Sequence, residues 1–378
     1  MKILISTDQY EYQVSGVTSS VVLLRDELRR LGHEVRILAL SPTYRSFEKD
    51  GDFFISSFHV PVYPDARMSL RRKGPLINKI IAWKPDIVHV QTEFSTRKLA
   101  TRVIRELGIP FVVTCHTVYE DYIGYFCPSK RIGKYIIRRL SNRYYNPANA
   151  LVVPSDKLRK TEQDYKVSCP ITVIPTGIEL DRFSRRISHE EKEQLLAKYG
   201  LTPGKTLVSV CRLAAEKNLD EIVSYMPALL RADPEVKLLI VGDGPHRSEL
   251  EKHVREAGVE KNVVFAGMID RYEVYKYYQT GDIFVCASTS ESQGLTYVEA
   301  LSSGLPLVCR RDDLDNGKNG YQYETETEFV RGVMHILDDR ELAHNMQLHS
   351  LENAEGFGAE TFGRRMEQLY LDVLSGEI

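Results

Sequence analysis

The chain has 378 residues, 43% hydrophobic and 27% charged, with a formal net charge of −2. That is long for one hydrophobic core, so two domains are expected, and the composition is that of an ordinary globular protein with no low-complexity tract. No apolar run approaches the ~20 residues of a membrane span, and the six cysteines (115, 127, 169, 211, 286 and 309) form no C-x-x-C pair, which predicts reduced thiols in a cytosolic protein.

In chain order, Lys2 to Ser6 reads as a strand rather than a signal peptide, and Gln13 to Ser20 leads into an amphipathic helix from Val21 to Leu31 that Gly32 closes. The turn carries one glycine, Gly16, far short of G-x-G-x-x-G, so a dinucleotide fingerprint is not supported. A plain turn and a ligand loop stand level there. Glu34 to Leu40, Ile87 to Gln91 and Phe111 to Cys115 are further short apolar strands between helical or proline-marked segments. Repeated β-α-β spacing predicts a parallel, doubly wound sheet, whose ligands gather at the carboxyl ends of its strands. His116 stands at one such end, although a lone histidine after a strand is more often a structural hydrogen-bonder than a catalyst.

Residues 1–150 hold 23 Lys and Arg against 14 Asp and Glu, a net of +9, which leaves −11 for the rest. Only the first half is therefore expected to meet an anionic surface. Two segments concentrate the charge, 67–73 and 130–145, both interleaving cations with apolar or aromatic residues. On a helix the second places Ile132, Tyr135, Ile136 and Leu140 roughly on one side, which is either core or a membrane-docking face. No nucleic-acid-binding module is recognisable.

The hinge between domains is expected at about 170 to 190. Thr206 to Cys211 is the next strand, and Arg212 and Lys217 come after it at its carboxyl end, two cations suited to a diphosphate leaving group. Val236 to Val241 runs into the glycine turn Gly242-Asp243-Gly244. Asp282 to Ser288 is a buried strand, followed by Glu291-Ser-Gln-Gly-Leu-Thr-Tyr-Val-Glu299 and a short helix that ends before Pro306. Gly294 lets backbone approach a ligand, and the first helical turn attracts an anion. Glu291 and Glu299 would repel that anion, so they are expected to accept hydrogen bonds from hydroxyls. Phosphate beside hydroxyl acceptors describes a nucleotide sugar; two solvated carboxylates are the bland alternative. Asp313-Leu-Asp315 spells D-x-D in a polar loop and is read as chance, so no metal is expected. The last helix, Glu360 to Leu374, sets Phe362, Met366, Leu369, Tyr370 and Leu374 at helical spacing.

As a set, these segments resemble the retaining glycosyltransferases of family 4, which have the GT-B fold. The resemblance implies that Glu291 meets the transferred sugar, that Glu299 binds the ribose, and that Gln293, Gly294, Leu295 and Thr296 meet the diphosphate. Arg212 and Lys217 match the family's Arg-x4-Lys pair for the diphosphate. His116 matches a histidine that contacts the donor sugar, and Gly16 and Val17 match the glycine loop. Gly242, Met268 and Ile269 fall where the family holds the nucleotide. Departures are Ser15 for the first loop glycine, Thr176 for Asn, and Gln293 for a bulky apolar residue. The run His116-Thr-Val-Tyr-Glu-Asp-Tyr122 is similar to a narrower group, bacterial diacylglycerol glucosyltransferases, and implies acceptor contacts for Tyr119, Glu120 and Asp121; Gly124-Tyr125 departs from its usual His-Tyr.

The implied fold is α/β, with two Rossmann-like, doubly wound domains facing a cleft. Residues 1–175, completed by a helix at about 357–378, would bind acceptor, and 176–356 would bind the nucleotide sugar. The implied activity is metal-independent, retaining transfer of glucose from UDP-glucose to diacylglycerol, by a peripheral protein on the inner face of the cell membrane, docked through segments 67–73 and 130–145. A soluble or polyprenyl-linked acceptor, a mannosyl donor, an epimerase or a phosphorylase on the same fold are the alternatives.

Overall fold

A computed structural model describes the chain except residues 14, 61–65, 124–126, 128, 289 and 311–316; of 121 and 122 it describes the backbone. The D-x-D of 313–315 and residues 124 and 125 therefore lie outside the described residues. Two compact units result, Met1–Gly177 with Ala359–Ile378, and Ile178–Gly358.

In the first unit the order is β1 (Lys2–Ser6), α1 (Gly16–Arg30), β2 (Glu34–Leu40), β3 (Phe47–Lys49), β4 (Asp52–Ile55), β5 (Phe58–His59), β6 (Arg67–Met68), α2 (Pro75–Trp83), β7 (Ile87–Val90), α3 (Ser95–Leu107), β8 (Phe111–Thr114), α4 (Lys130–Tyr145), β9 (Ala150–Val153), α5 (Asp156–Asp164) and β10 (Ile171–Val173). Eight strands form one sheet in the order β10-β9-β8-β7-β1-β2-β4-β3, parallel except where β3 meets β4. Its central strands are buried on both faces, so they read as continuous apolar runs: Ile3, Leu4 and Ile5 of β1 are wholly enclosed. Helix α1 begins five residues before Val21, because the Ser15 hydroxyl accepts a hydrogen bond from the Thr18 amide at 3.1 Å and caps it.

The second unit runs α6 (Leu180–Ser184), α7 (His189–Tyr199), β11 (Thr206–Val210), α8 (Leu219–Ala232), β12 (Lys237–Val241), α9 (Arg247–Glu256), β13 (Val263–Gly267), α10 (Val274–Thr280), β14 (Ile283–Cys286), α11 (Leu295–Ser302), β15 (Leu307–Cys309), β16 (Gly320–Gln322), α12 (Glu326–Asp338) and α13 (Arg340–Ala354). Its six strands are all parallel, in the order β13-β12-β11-β14-β15-β16. Helix α14 (Ala359–Ser375) then returns to the first unit, where Phe362, Met366 and Tyr370 join Ile3, Leu24 and Val152 in one core.

Apart from the antiparallel β3–β4 edge of the first, each sheet reverses its strand order once, between β1 and β7 in the first unit and between β11 and β14 in the second. A crevice opens at such a reversal because the connections on either side leave in opposite directions. The residues just after β1, β7, β11 and β14 are therefore the ones placed for chemistry.

Candidate active site

In the second unit the two strands flanking the reversal deliver an ion pair. Lys217 comes after β11 on a single 3-10 turn, Ala215–Lys217, and Glu291 comes after β14. Lys217 Nζ donates to Glu291 Oε1 at 2.6 Å, with both side chains mostly shielded. Burial works against the Lys217 ammonium, but the Glu291 charge and hydrogen bond prevail and raise its pKa above the usual lysine range. Asn218 sits next in left-handed backbone (φ 52°), which turns the chain into α8.

Beyond Glu291, Gly294 also adopts left-handed backbone (φ 76°) and stands at the N-cap of α11 with no side chain of its own to cap the helix. Gln293 is buried. One turn into α11, Glu299 accepts a hydrogen bond from the Tyr278 hydroxyl at 2.6 Å. Burial pushes its carboxyl up to about 7, against the Tyr278 bond and the charge of Arg182, while one edge of the residue keeps contact with solvent. Arg182 in turn lies over the Tyr272 ring at 4.7 Å. Neither Tyr278 nor Arg182 carried a motif in the sequence, since their pairing with Glu299 spans distant segments.

The exits of β11 and β12 lie backbone against backbone. A Cβ on Gly242 would stand 1.9 Å from the Cys211 carbonyl oxygen, and one on Gly244 would stand 2.2 Å from that of Leu213. Glycine at both positions lets Leu213 N donate to Asp243 O at 3.0 Å and sets Arg212 beside this turn. Met268 and Ile269 come directly after β13, with Met268 largely exposed. The expected residues of this half therefore gather at the carboxyl ends of four adjacent strands.

In the first unit Gly16 and Val17 form the first turn of α1 after β1, with the Thr18 amide already taken by Ser15. His116, just beyond β8, is bonded through Nε2 to Gln91 Oε1 at 2.6 Å, past the end of β7. An amide oxygen only accepts, so Nε2 carries the proton and the lone pair lies on Nδ1. Burial lowers the His116 pKa to about 4, which keeps the ring neutral. Behind Gln91, His89 is wholly buried and bonds the Tyr370 hydroxyl at 2.6 Å and the Thr114 hydroxyl at 2.7 Å. The last helix thus supports the strand end that carries His116.

Tyr119 and Glu120 are used internally. The Tyr119 hydroxyl donates to Glu93 at 2.7 Å, and Glu93 also accepts from Tyr145 at 2.8 Å. Glu120 pairs with Lys134 at 3.0 Å and accepts from the Tyr165 hydroxyl, so its side chain anchors the 3-10 turn Tyr119–Tyr122 to α4 and to the residue that closes α5. The Asp121 side chain lies outside the described residues. A cavity of about 120 Å³ at the ends of β1 and β2, lined by Asp8, Tyr10, Tyr12, Gln13, His59 and Arg67 among others, had no sequence signal. Asp8 accepts from the Ser95 and Thr96 amides at 3.0 Å and from the Thr92 hydroxyl at 2.7 Å, tying this wall to the start of α3.

Along α4, Gly133, Ile137, Ser141 and Tyr145 form the buried stripe. Ile132, Tyr135, Ile136 and Leu140 are 57, 58, 41 and 41% exposed, so that side is not core. Among the described residues no helix is long and apolar enough to cross a membrane, and no group of three or more His, Cys, Asp or Glu is placed to hold a metal ion.

Comparison with known proteins matches residues 14–182 to the family model Glycosyltransferase Family 4 and residues 191–350 to Glycosyl transferases group 1. The alpha-monoglucosyldiacylglycerol synthase of Streptococcus pneumoniae is 34% identical, covering 99% of this chain and 86% of the relative; that of Acholeplasma laidlawii is 32% identical, covering 99% and 98%. Among solved structures, Anabaena HepE in complex with UDP has a TM-score of 0.75 at 16% identity, covering 98% of this chain and all of that one, and shows the same GT-B fold.

Proposed function

The chain belongs to the family 4, group 1 glycosyltransferases and is a glycosyltransferase, and from that premise we propose that it moves glucose from UDP-glucose to 1,2-diacylglycerol with retention of configuration. The Lys217–Glu291 pair at the strand-order reversal of the second unit carries the reading. The amino-terminal end of α11, from Gly294 to Thr296, with Arg212 and Lys217, holds the diphosphate and stabilises the charge that grows on it as the glycosidic bond breaks. Glu299 accepts from the ribose hydroxyls, Gly242, Met268 and Ile269 line the nucleotide, and Glu291 orients the sugar. His116 accepts a sugar hydroxyl on Nδ1. Gly16 and Val17 contact the donor from the first unit.

No side chain serves as nucleophile. The acceptor hydroxyl attacks on the face from which the diphosphate departs, and its proton passes to a leaving phosphate oxygen. Charge stabilisation rests on the two cations, and the reaction is proposed to proceed without a divalent metal. Tyr119, Glu120 and Asp121 shape the acceptor side through the turn they build, and the cavity beside Asp8 takes the glycerol end of the acceptor.

The relatives named for a membrane lipid, together with the exposed apolar side of α4 and its Lys130, Arg131, Lys134, Arg138, Arg139 and Arg143, support peripheral docking on the inner, anionic leaflet. A donor screen on diacylglycerol vesicles, with and without chelator, tests the assignment. Glucosyl-diacylglycerol and UDP should form from UDP-glucose in both conditions. Transfer only from GDP-mannose, only to a soluble sugar, or only with metal would replace the corresponding part.

A further inference from the structure

We propose that Glu93 is a positioning residue for sugar transfer, whose buried carboxylate holds the turn Tyr119–Tyr122 in a set place after His116 so that the acceptor meets the donor sugar in the right orientation. The proposal rests on the transferase reading above and adds a residue that no motif in the sequence marked.

Three successive residues leave β7 at its carboxyl end, and each holds a different part of the first unit's site. Gln91 accepts from His116 Nε2 at 2.6 Å, the Thr92 hydroxyl donates to Asp8 at 2.7 Å, and Glu93 accepts from the Tyr119 hydroxyl at 2.7 Å. Strands β7 and β8 are neighbours in the sheet, so two short bonds join the same two exit segments, one at His116 and one at Tyr119. With the first bond alone, the segment after β8 could pivot about the imidazole. The second bond removes that freedom.

Glu93 is buried and both of its oxygens are taken, Oε2 by Tyr119 and Oε1 by Tyr145 at 2.8 Å, at the end of α4. With both oxygens accepting, the group is a carboxylate. Burial works against that form, while the two hydroxyls and the charge of Arg97, in the first turn of α3, work for it. Arg97 is itself buried, donates to the Tyr144 carbonyl and lies over the Tyr144 ring at 4.8 Å, so it is fixed beside the carboxylate it balances. A buried pair of charges is a poor device for stability, because apolar residues of the same volume would avoid the cost of removing both from water. It supplies direction instead. Hydrogen bonds to an ionised carboxylate are short and roughly twice as strong as neutral ones, so the Tyr119 hydroxyl has one place to go. Glu120 fastens the next residue of the turn to Lys134 and Tyr165.

Two substitutions in the full chain test the proposal: Glu93→Gln keeps the shape and removes the charge, and Tyr119→Phe keeps the ring and removes the hydroxyl. In each, kcat/KM for the acceptor found by the donor screen should fall at least about tenfold, with KM rising more than kcat falls, while UDP binds as before. Hydrogen exchange at the Ile123 amide, which bonds the Glu120 carbonyl and closes the turn, should quicken at least about tenfold. The double variant should lose no more than the worse single one, because both substitutions act through one bond. A lowered melting temperature with kcat/KM unchanged would leave Glu93 a structural residue and overturn the proposal, as would unchanged exchange at Ile123 or losses that add in the double variant. Should Glu93→Gln fail to fold, Tyr119→Phe decides by the kinetic split and the exchange rate. If the unaltered chain glucosylates another acceptor and no diacylglycerol, the acceptor assigned above falls, and the same comparison on that other acceptor still decides for or against Glu93.

Discussion

Glu299 is a proposed site residue whose protonation the fold controls through burial. Burial lifts its carboxyl from 4.5 to about 7, so the folded chain takes up a proton that the unfolded chain would have lost. By linkage, its contribution to stability is complete below 4.5 and is lost as pH rises through about 7. Donor binding should run the other way, because ribose hydroxyls donate best to the ionised form. Affinity for UDP-glucose, whose own diphosphate does not titrate near neutrality, should fall by about tenfold per unit as pH drops below about 7. In Glu299→Gln calorimetry should find that slope flattened, and a slope unchanged by the substitution would remove Glu299 from the ribose. His116 marks the limit of sequence at this scale. Its place after a strand was legible, but the bond to Gln91 and the support from His89 and Tyr370 join residues as much as 281 positions apart, and no local pattern encodes them.

At the scale of elements, local chemistry explains what was legible. Apolar runs such as Leu207 to Val210 and Ile283 to Cys286 are strands because parallel sheets bury both faces, and the strand-turn-helix reading of Asp282 to Ser302 rests on Gly294 and the helical spacing after it. The start of α1 was displaced because Ser15 caps it, a signal present in the sequence but outweighed by the apolar period beginning at Val21. The second basic segment left two readings open because periodicity marks an apolar face without saying what covers it. Solvent meets Ile132, Tyr135, Ile136 and Leu140, so the core reading falls. Each basic residue near an anionic leaflet is worth about 1 kcal/mol. Arg138→Glu/Arg139→Glu should therefore cut sedimentation with anionic vesicles by about tenfold or more at low salt, and Ile136→Asp should weaken it at any salt. Undiminished sedimentation in both variants would exclude α4 as the docking element.

For the whole molecule, the doubly wound class was legible from β-α-β spacing, and the second sheet keeps the strand order that places ligands at a reversal. Glycine positions state the same requirement in negative form: Gly242 and Gly244 admit no Cβ, so the exits of β11 and β12 close against each other at Cys211 and Leu213, the chain neighbours of Arg212. The cavity beside Asp8 was illegible because it is assembled from segments distant in sequence with no shared motif. On the proposed mechanism, sugar transfer by this chain depends above all on the cation that the reversal presents to the departing diphosphate. The most direct measurement is the rate of glucose transfer from saturating UDP-glucose to diacylglycerol vesicles by Lys217→Ala against the unaltered chain, with melting temperatures confirming that both are folded. A drop of about 10² to 10³ is predicted, the loss typical of removing one group that stabilises transition-state charge; an undiminished rate would contradict it.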